Sequence, residues 1–272
     1  MFRAELLNLV STTSAKLTAA LAVAGLLATQ IIFVSLLPAI LRGDIEGAEG
    51  AADELPGFDL AAPATQLDAL NPLGASMSGG SVGIAILAVA ILGVLAGTGA
   101  FRFGGIVTAA LAAPRRGRIV AAKAGASGIV GLVLGAALVV VSAVVLLITL
   151  AVSGTPIALD AAEAAALAGR GVFAVACLVL IGLAVGLLTR SQLGGVLVVL
   201  TIMITEPIIA AVAGLTTGSF PLWTQLLPVA LTHATIGAAP TSLSPLTAGA
   251  VLLGITVVAL GAATVAVQRR DI

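Results

Sequence analysis

Few side chains in this sequence can carry chemistry, and they are isolated from one another. His233 is the only histidine and Cys177 the only cysteine. One histidine excludes an HExxH zinc site, and one cysteine excludes an intramolecular disulfide. No GxxxxGK[ST] phosphate loop occurs, so ATP cannot be bound by that route. We therefore predict that the chain is not an enzyme and holds no metal or cofactor, with both residues serving packing.

Glu206 is the single acidic residue inside a long apolar segment. A carboxylate facing lipid costs about 3 kcal/mol or more, so it must face the bundle, water or a partner. Pro207 follows directly and frees the carbonyl one turn earlier, which weakens the helix at that point. Two readings stay open: Glu206 and Pro207 belong to a transport path or outer gate, or Glu206 makes a hydrogen bond between packed helices.

The composition places these residues in a membrane protein. Of the 272 residues, 60% are hydrophobic and only 9% are charged, whereas soluble domains carry about 25% charged residues. The apolar runs are apolar on every face, which favours helices over the alternating strands of a barrel. We predict an all-α single transmembrane domain over 1–272, with six spans at about 17–41, 80–100, 124–152, 171–188, 193–213 and 246–267.

Basic residues predict the orientation of these spans. With both termini in the cytoplasm, ten basic residues fall inside and only Arg42 and Arg170 fall outside. This excess is the positive-inside signal and predicts that both termini are cytoplasmic. We predict a multi-pass protein of the cell (inner or plasma) membrane. The ten inner residues are Arg3, Lys16, Arg102, Arg115, Arg116, Arg118, Lys123, Arg190, Arg269 and Arg270.

The connecting segments differ in character. Residues 1–16 suit an interfacial helix, while the outer loop 42–79 lacks periodicity and is expected to be mobile. The proline-rich segment 214–245 is too broken to span and too apolar for an ordinary loop, which predicts outer re-entrant helices shielded by protein. GxxxG pairs in spans two, three and four, at Gly93 and Gly97, Gly131 and Gly135, and Gly182 and Gly186, allow close approach of helix backbones.

The cytoplasmic loop 101–123 has a helix–break–helix plan. Pro114 ends a short helix, Arg115, Arg116 and Arg118 form a basic turn, and a second helix continues through Lys123. One reading is that this loop transmits force between a soluble partner and the membrane bundle. The other is that its arginines only fix the topology and contact lipid phosphate.

The stretch Gly99-Ala-Phe-Arg-Phe-Gly-Gly-Ile-Val-Thr-Ala-Ala-Leu-Ala-Ala-Pro-Arg-Arg-Gly-Arg-Ile-Val-Ala-Ala-Lys123 resembles the cytoplasmic coupling loop of type-2 ATP-binding-cassette (ABC) exporter permeases. Ala4-Glu5-Leu6-Leu7, Glu206-Pro207, Leu226-Leu227-Pro228 and Arg269-Arg270-Asp271 resemble that family too, and in the same order. The family usually has an acidic residue before the loop aromatic, where this chain has Ala100, and often a Thr where it has Gly105.

This resemblance implies a six-helix subunit of a dimer, with a separate ATPase subunit that binds ATP docked under each copy. Arg102, Pro114, Arg115, Arg116 and Arg118 then belong to the ATPase-coupling loop. Glu206, Pro207, Leu227 and Pro228 belong to the transport path or outer gate. A drug, a lipid or a hydrophobic peptide fits such a bundle equally well, and nucleic acid is not expected as a partner.

Two other functions compete with the exporter. A secondary transporter would use Glu206 to carry a proton, but such machines normally contain several intramembrane ionisable groups. A membrane anchor without transport activity would not need a basic loop with a helix–break–helix plan.

Overall fold

The computed structural model describes residues 2–41, 43, 59–74, 83–102, 116–218, 221–237 and 243–269. These residues form helices and turns, with no strand among them. The helices are α1 (Phe2–Ser11), α2 (Thr13–Leu41), α3 (Pro63–Ala69), α4 (Ile84–Arg102), α5 (Arg116–Ser153), α6 (Ala161–Thr189), α7 (Gln192–Thr217), α8 (Leu222–Gln225), α9 (Pro228–Ile236) and α10 (Pro245–Arg269).

Five of these helices, α2, α5, α6, α7 and α10, are long and apolar enough to cross a membrane. The predicted all-helical membrane-protein class is therefore confirmed over the described residues. The apolar part of α4, Ile84–Gly99, is shorter than these five. Only the residues Arg190 and Ser191 separate α6 from α7, so these two helices are antiparallel neighbours.

Helix α6 is the centre of the bundle, and glycines bring α4 against it. A Cβ atom added at Gly97 of α4 would lie 2.7 Å from the carbonyl oxygen of Leu183, and one added at Gly186 of α6 would lie 2.6 Å from that of Val94. Such distances are closer than real Cβ contacts, so only glycine lets these backbones touch. The GxxxG pairs of α4 and α6 thus face each other.

The third GxxxG pair lies on α5 and packs against the same central helix. A Cβ atom at Gly131 would lie 2.9 Å from the Cα atom of Ala176, and one at Gly135 would lie 3.0 Å from that of Val172. Within α6, 67% of its 18-residue apolar window is buried, against 22% to 33% in the other four long helices. Small residues on the neighbouring helices therefore produce the central position of α6.

Helix α4 does not reach as far as its neighbours, and residues 59–74 occupy the space beyond its start. The side chain of Ile84, at the start of α4, lies 2.7 Å from a Cβ atom added at Gly25 of α2. From Gly25, α2 continues for about 24 Å before it ends. Leu60, Ala69 and Leu73 of segment 59–74 are almost fully buried. We call residues 59–74 the plug segment. The sequence predicted a mobile loop here, and this part of it is instead packed into the bundle.

Charge separates the two ends of the bundle. One end holds the described residues Arg3, Lys16, Arg118, Lys123, Arg190 and Arg269 with a single acid, Glu5. The other holds the described residues Asp59, Asp68, Asp160 and Glu163 with a single base, Arg170. We call these the basic end and the acidic end.

Candidate functional site

Glu206 lies on the buried face of α7, in the half of the helix toward the acidic end. Val199, Met203, Glu206 and Ala213 form this face, at the spacing of successive helical turns. The Glu206 residue is only 5% exposed. The structure therefore turns this carboxylate toward protein and not toward lipid.

The Glu206 carboxylate caps the amino terminus of the short helix α9. Oε2 accepts a hydrogen bond from the N–H of Val229 at 3.0 Å, and Oε1 accepts one from the N–H of Ala230 at 2.7 Å. These are the second and third residues of the helix, whose N–H groups have no partner within it. The preceding residue, Leu227, has no side-chain acceptor, and Pro228 has no N–H. Helix α7 thus supplies the cap that the local sequence lacks.

Arg170 of α6 holds the opposite end of α9. Its Nε donates to the carbonyl oxygen of Ile236 at 3.0 Å, and Gly237 ends the helix with a left-handed φ of 80°. A negative charge at a helix amino terminus and a positive charge at its carboxyl terminus both favour the helix dipole. We call Glu206, α9 and Arg170 the α9 clamp. Between the two charges, α9 is almost completely buried.

Pro207 adjoins the clamp within α7, and the helix continues through it to Thr217. Because proline has no N–H, the carbonyl oxygen of Met203 lacks its helical hydrogen bond. The weak point of α7 is therefore one residue from the carboxylate that holds α9. Beyond it, a groove of about 390 Å³ opens between α7 and α8, and it is lined by Ile208, Ile209, Val212, Ala213, Thr216, Thr217, Pro221 and Trp223.

The structure brings all four predicted gate residues to this one place. Glu206 and Pro207 are adjacent on α7, and Leu227 and Pro228 begin the helix that Glu206 caps. Sequence reasoning missed the part of Arg170, which it treated only as an outer base. The available signal was its place ten residues inside an apolar helical run, where an arginine must find a partner.

At the basic end, a partly buried ion pair joins α1 to the start of α5. Lys123 Nζ lies 2.7 Å from Glu5 Oε2, and the two side chains are 5% and 19% exposed. The Phe2 ring lies against Gly125, 3.3 Å from an added Cβ atom. A cavity of about 50 Å³ adjoins the pair, between α1, α2, α4 and α5. Helix α1 and the first turns of α5 therefore form one unit.

The predicted coupling loop is only partly described. Pro114 and Arg115 lie outside the described residues, as do the side chains of Arg102 and Arg116. Arg118 is exposed on the first turn of α5. Nearby, the guanidinium of Arg190 lies 5.5 Å from the centre of the Phe101 ring, a cation–π contact between the end of α4 and the turn that follows α6.

Among the described residues, no three His, Cys, Asp or Glu side chains lie close enough together to hold a metal ion. Cys177 is a free thiol buried in α6. The described residues therefore offer no metal site or cysteine site as a second candidate.

Comparison of the chain with protein-family models, with curated proteins and with solved structures finds no match.

Proposed function

We propose that the chain is the membrane-spanning permease subunit of an ABC exporter, energised by a separate ATPase subunit and working as a dimer. The basic end faces the cytoplasm, both termini included, and α4 serves as a sixth, short membrane segment. The resemblance of Gly99–Lys123 and the ordered weaker motifs supports this assignment. The charge difference between the two ends supports the orientation.

The observation that carries the proposal is the unit formed by α1 and the start of α5. The Lys123 side chain is only 5% exposed, so removing Glu5 leaves the lysine charge buried without its partner. Helix α5 is 38 residues long and rigid by virtue of its continuous hydrogen bonding. A push from a soluble partner on α1 or on the loop before α5 is therefore passed along α5 into the bundle.

The α9 clamp suits an outer gate in this mechanism. Glu206, Pro207, Leu227 and Pro228 join a helix with a weak point to a short buried helix at the acidic end. Bending of α7 at Pro207 displaces the Glu206 carboxylate and hence α9. A hydrophobic or amphipathic substrate leaves the bundle at this end.

Proton-coupled transport by Glu206 is the alternative, and the contacts of this residue favour a structural role. Both carboxylate oxygens accept backbone hydrogen bonds, and the residue is 5% exposed. A proton carrier needs alternating access to water and a relay of further ionisable groups.

Affinity purification in mild detergent tests the proposal. A tagged chain is compared with the double variant Arg115→Glu, Arg116→Glu and with the matched charge reversal Arg269→Glu, Arg270→Glu at the other basic segment. We expect a nucleotide-binding ATPase to copurify with the parent and with the second variant, and to be lost from the first at unchanged expression. Recovery of no ATPase from any of the three, even after crosslinking in native membranes, contradicts the proposal.

A further inference from the structure

Helix α2 contains a π-helical segment, Ile31–Leu36, within an otherwise regular α-helix. The N–H of Leu37 bonds to the carbonyl oxygen of Ile32, five residues earlier, where a regular helix bonds to the fourth. Such a segment holds one extra residue in a single turn and is frequent at functional sites. The helix resumes as a regular α-helix over Leu37–Leu41.

The extra residue decides which side chains of α2 face α5. In a regular helix, two residues five apart point about 140° away from each other. In a π-turn of about 4.4 residues they point only about 50° apart. Gln30 and Ser35, which are five apart, both reach α5: Gln30 Nε2 lies 3.1 Å from Ser142 Oγ, and Ser35 Oγ lies 2.9 Å from Thr149 Oγ1. Both contacts therefore require the π segment.

The same polar contacts hold the plug segment in place. Gln30 Nε2 also donates to the carbonyl oxygen of Ala69 at 2.8 Å, and Ser142 Oγ donates to that of Asn71 at 3.1 Å. Gln30, Asn71 and Ser142 are fully buried. The plug segment is thus attached to α2 and α5 at the point where these two helices are attached to each other.

The far side of the plug segment has its own attachments. Gln66 Nε2 donates to the carbonyl oxygen of Pro156, and its Oε1 accepts from the N–H of Ala158. Both partners lie in the turn between α5 and α6. Pro72 packs on Gly171 of α6, 2.7 Å from an added Cβ atom. The plug segment therefore packs between α2, α5 and α6, and the carbonyl oxygen of Leu73 lies 3.3 Å from a Cβ atom added at Gly83, just before the start of α4.

We propose that the plug segment is a lid over the start of α4, in the half of the bundle toward the acidic end. It is latched by Gln30 and Ser142, and conversion of the π segment to α-helix releases it. Conversion turns Ser35, within the segment, away from Thr149, and beyond the segment it rotates only the five residues Leu37–Leu41 that end α2. The contact between α2 and α5 then opens beside the latch. This device is independent of whether the chain works with an ATPase.

A single-residue deletion tests the role of the π segment. Deleting Ile32, which is 50% exposed, makes Gln30 and Ser35 four apart, so a regular helix keeps both contacts. Deleting Ala24, before the segment, instead rotates the helix on one side of the deletion by about 100° relative to the other. We expect the Ile32 deletion to unfold at the same midpoint temperature as the parent, and the Ala24 deletion to unfold at a lower one. Equal losses in both variants overturn the assigned register.

Lid opening is measured with a cysteine reporter. Cys177 is the only cysteine, so the variant Cys177→Ala, Ala69→Cys places one thiol in the plug segment, at a residue that is 1% exposed. The rate of maleimide labelling in detergent then reports opening. Removing the Ser35 hydroxyl with Ser35→Ala should raise this rate about fivefold, the effect of one neutral hydrogen bond. The control Ser11→Ala, whose exposed hydroxyl bonds within α1 to the carbonyl oxygen of Asn8, should leave it unchanged.

Deleting Ile32 in the same cysteine-reporter background tests whether conversion of the π segment opens the lid. We expect labelling at least about threefold slower than in the parent reporter, because the helix no longer has the extra residue that lets Ser35 turn away. Labelling at the parent rate in a folded deletion variant overturns the proposed conversion. A Ser35→Ala rate equal to that of Ser11→Ala overturns the proposed link between the α2–α5 contact and the lid.

Discussion

Replacement of Glu206 by alanine should loosen α9 without disturbing the rest of α7. The substitution removes the acceptor of two N–H groups, those of Val229 and Ala230, which lie 3.0 and 2.7 Å from its oxygens. No neighbouring side chain at the start of α9 can take over, because Leu227 is apolar and Pro228 lacks a donor or acceptor in its side chain. We therefore expect α9 to fray from its first turn.

The magnitude follows from the burial of the two donors. A buried donor left without a partner costs about 1–3 kcal/mol. The N–H of Val229 is buried and that of Ala230 is partly buried, so Glu206→Ala should lower the free energy of unfolding by about 2–5 kcal/mol. Glu206→Gln keeps one acceptor and should cost roughly half as much, about 1–3 kcal/mol.

The assay is equilibrium unfolding of the purified protein by SDS titration in mixed micelles. Thr205→Val is the matched control, since Thr205 is the exposed neighbour and bonds only within its own helix, to Thr201. It should stay within about 0.5 kcal/mol of the parent. Leu227→Ser in the Glu206→Ala background places a local acceptor at the cap position and should restore about 1 kcal/mol.

Two results refute this reasoning. One is a Glu206→Ala variant as stable as Thr205→Val, because then the two hydrogen bonds hold nothing. The other is a loss of stability that Leu227→Ser does not reduce, because then Glu206 acts through something other than the amino terminus of α9.

Three further substitutions probe the same architecture. Arg170→Gln should lower the free energy of unfolding by about 1–2 kcal/mol. In the Glu206→Ala background the loss should be smaller, because both residues act on α9. Strictly additive losses contradict the clamp. Lys123→Glu should destabilise by about 3–5 kcal/mol, and adding Glu5→Lys should recover most of it; a double variant no better than the single one contradicts the ion pair. Gly186→Leu should prevent folding, whereas exposed Gly254→Leu should not, as judged by size-exclusion chromatography.

The sequence was enough to predict the helical class, and it singled out Glu206 and Pro228, which lie in the α9 clamp, but not the backbone groups that Glu206 and Arg170 contact. Apolar runs and charge positions report on the environment of a helix, and Glu206-Pro207 is conspicuous because charge and proline are rare there. The GxxxG pairs marked surfaces of close approach, but which pair meets which depends on the packing of whole helices. Gly93 and Gly97 meet Gly182 and Gly186 only because α4 runs antiparallel to α2 and along α6.

The plug segment and the π segment were out of reach of sequence patterns. The buried residue Gln66 has the sequence character of a surface residue, because two of its hydrogen-bond partners are backbone groups of Pro156 and Ala158, 90 and 92 residues later in the chain. A π-turn has no periodicity of its own within six residues. The contact of Arg170 could not be predicted for a similar reason, since its partner is a carbonyl group 66 residues later in the chain.

Photo-crosslinking in intact cells tests the proposed coupling to an ATPase most directly. A photoreactive amino acid is placed at Arg118, exposed at the basic end, or at Thr216, exposed at the acidic end. The account predicts a crosslinked product from position 118 whose partner peptides carry a GxxxxGK[ST] phosphate loop, and none from position 216. Capture of no such ATPase from position 118, or equal capture from both positions, contradicts it.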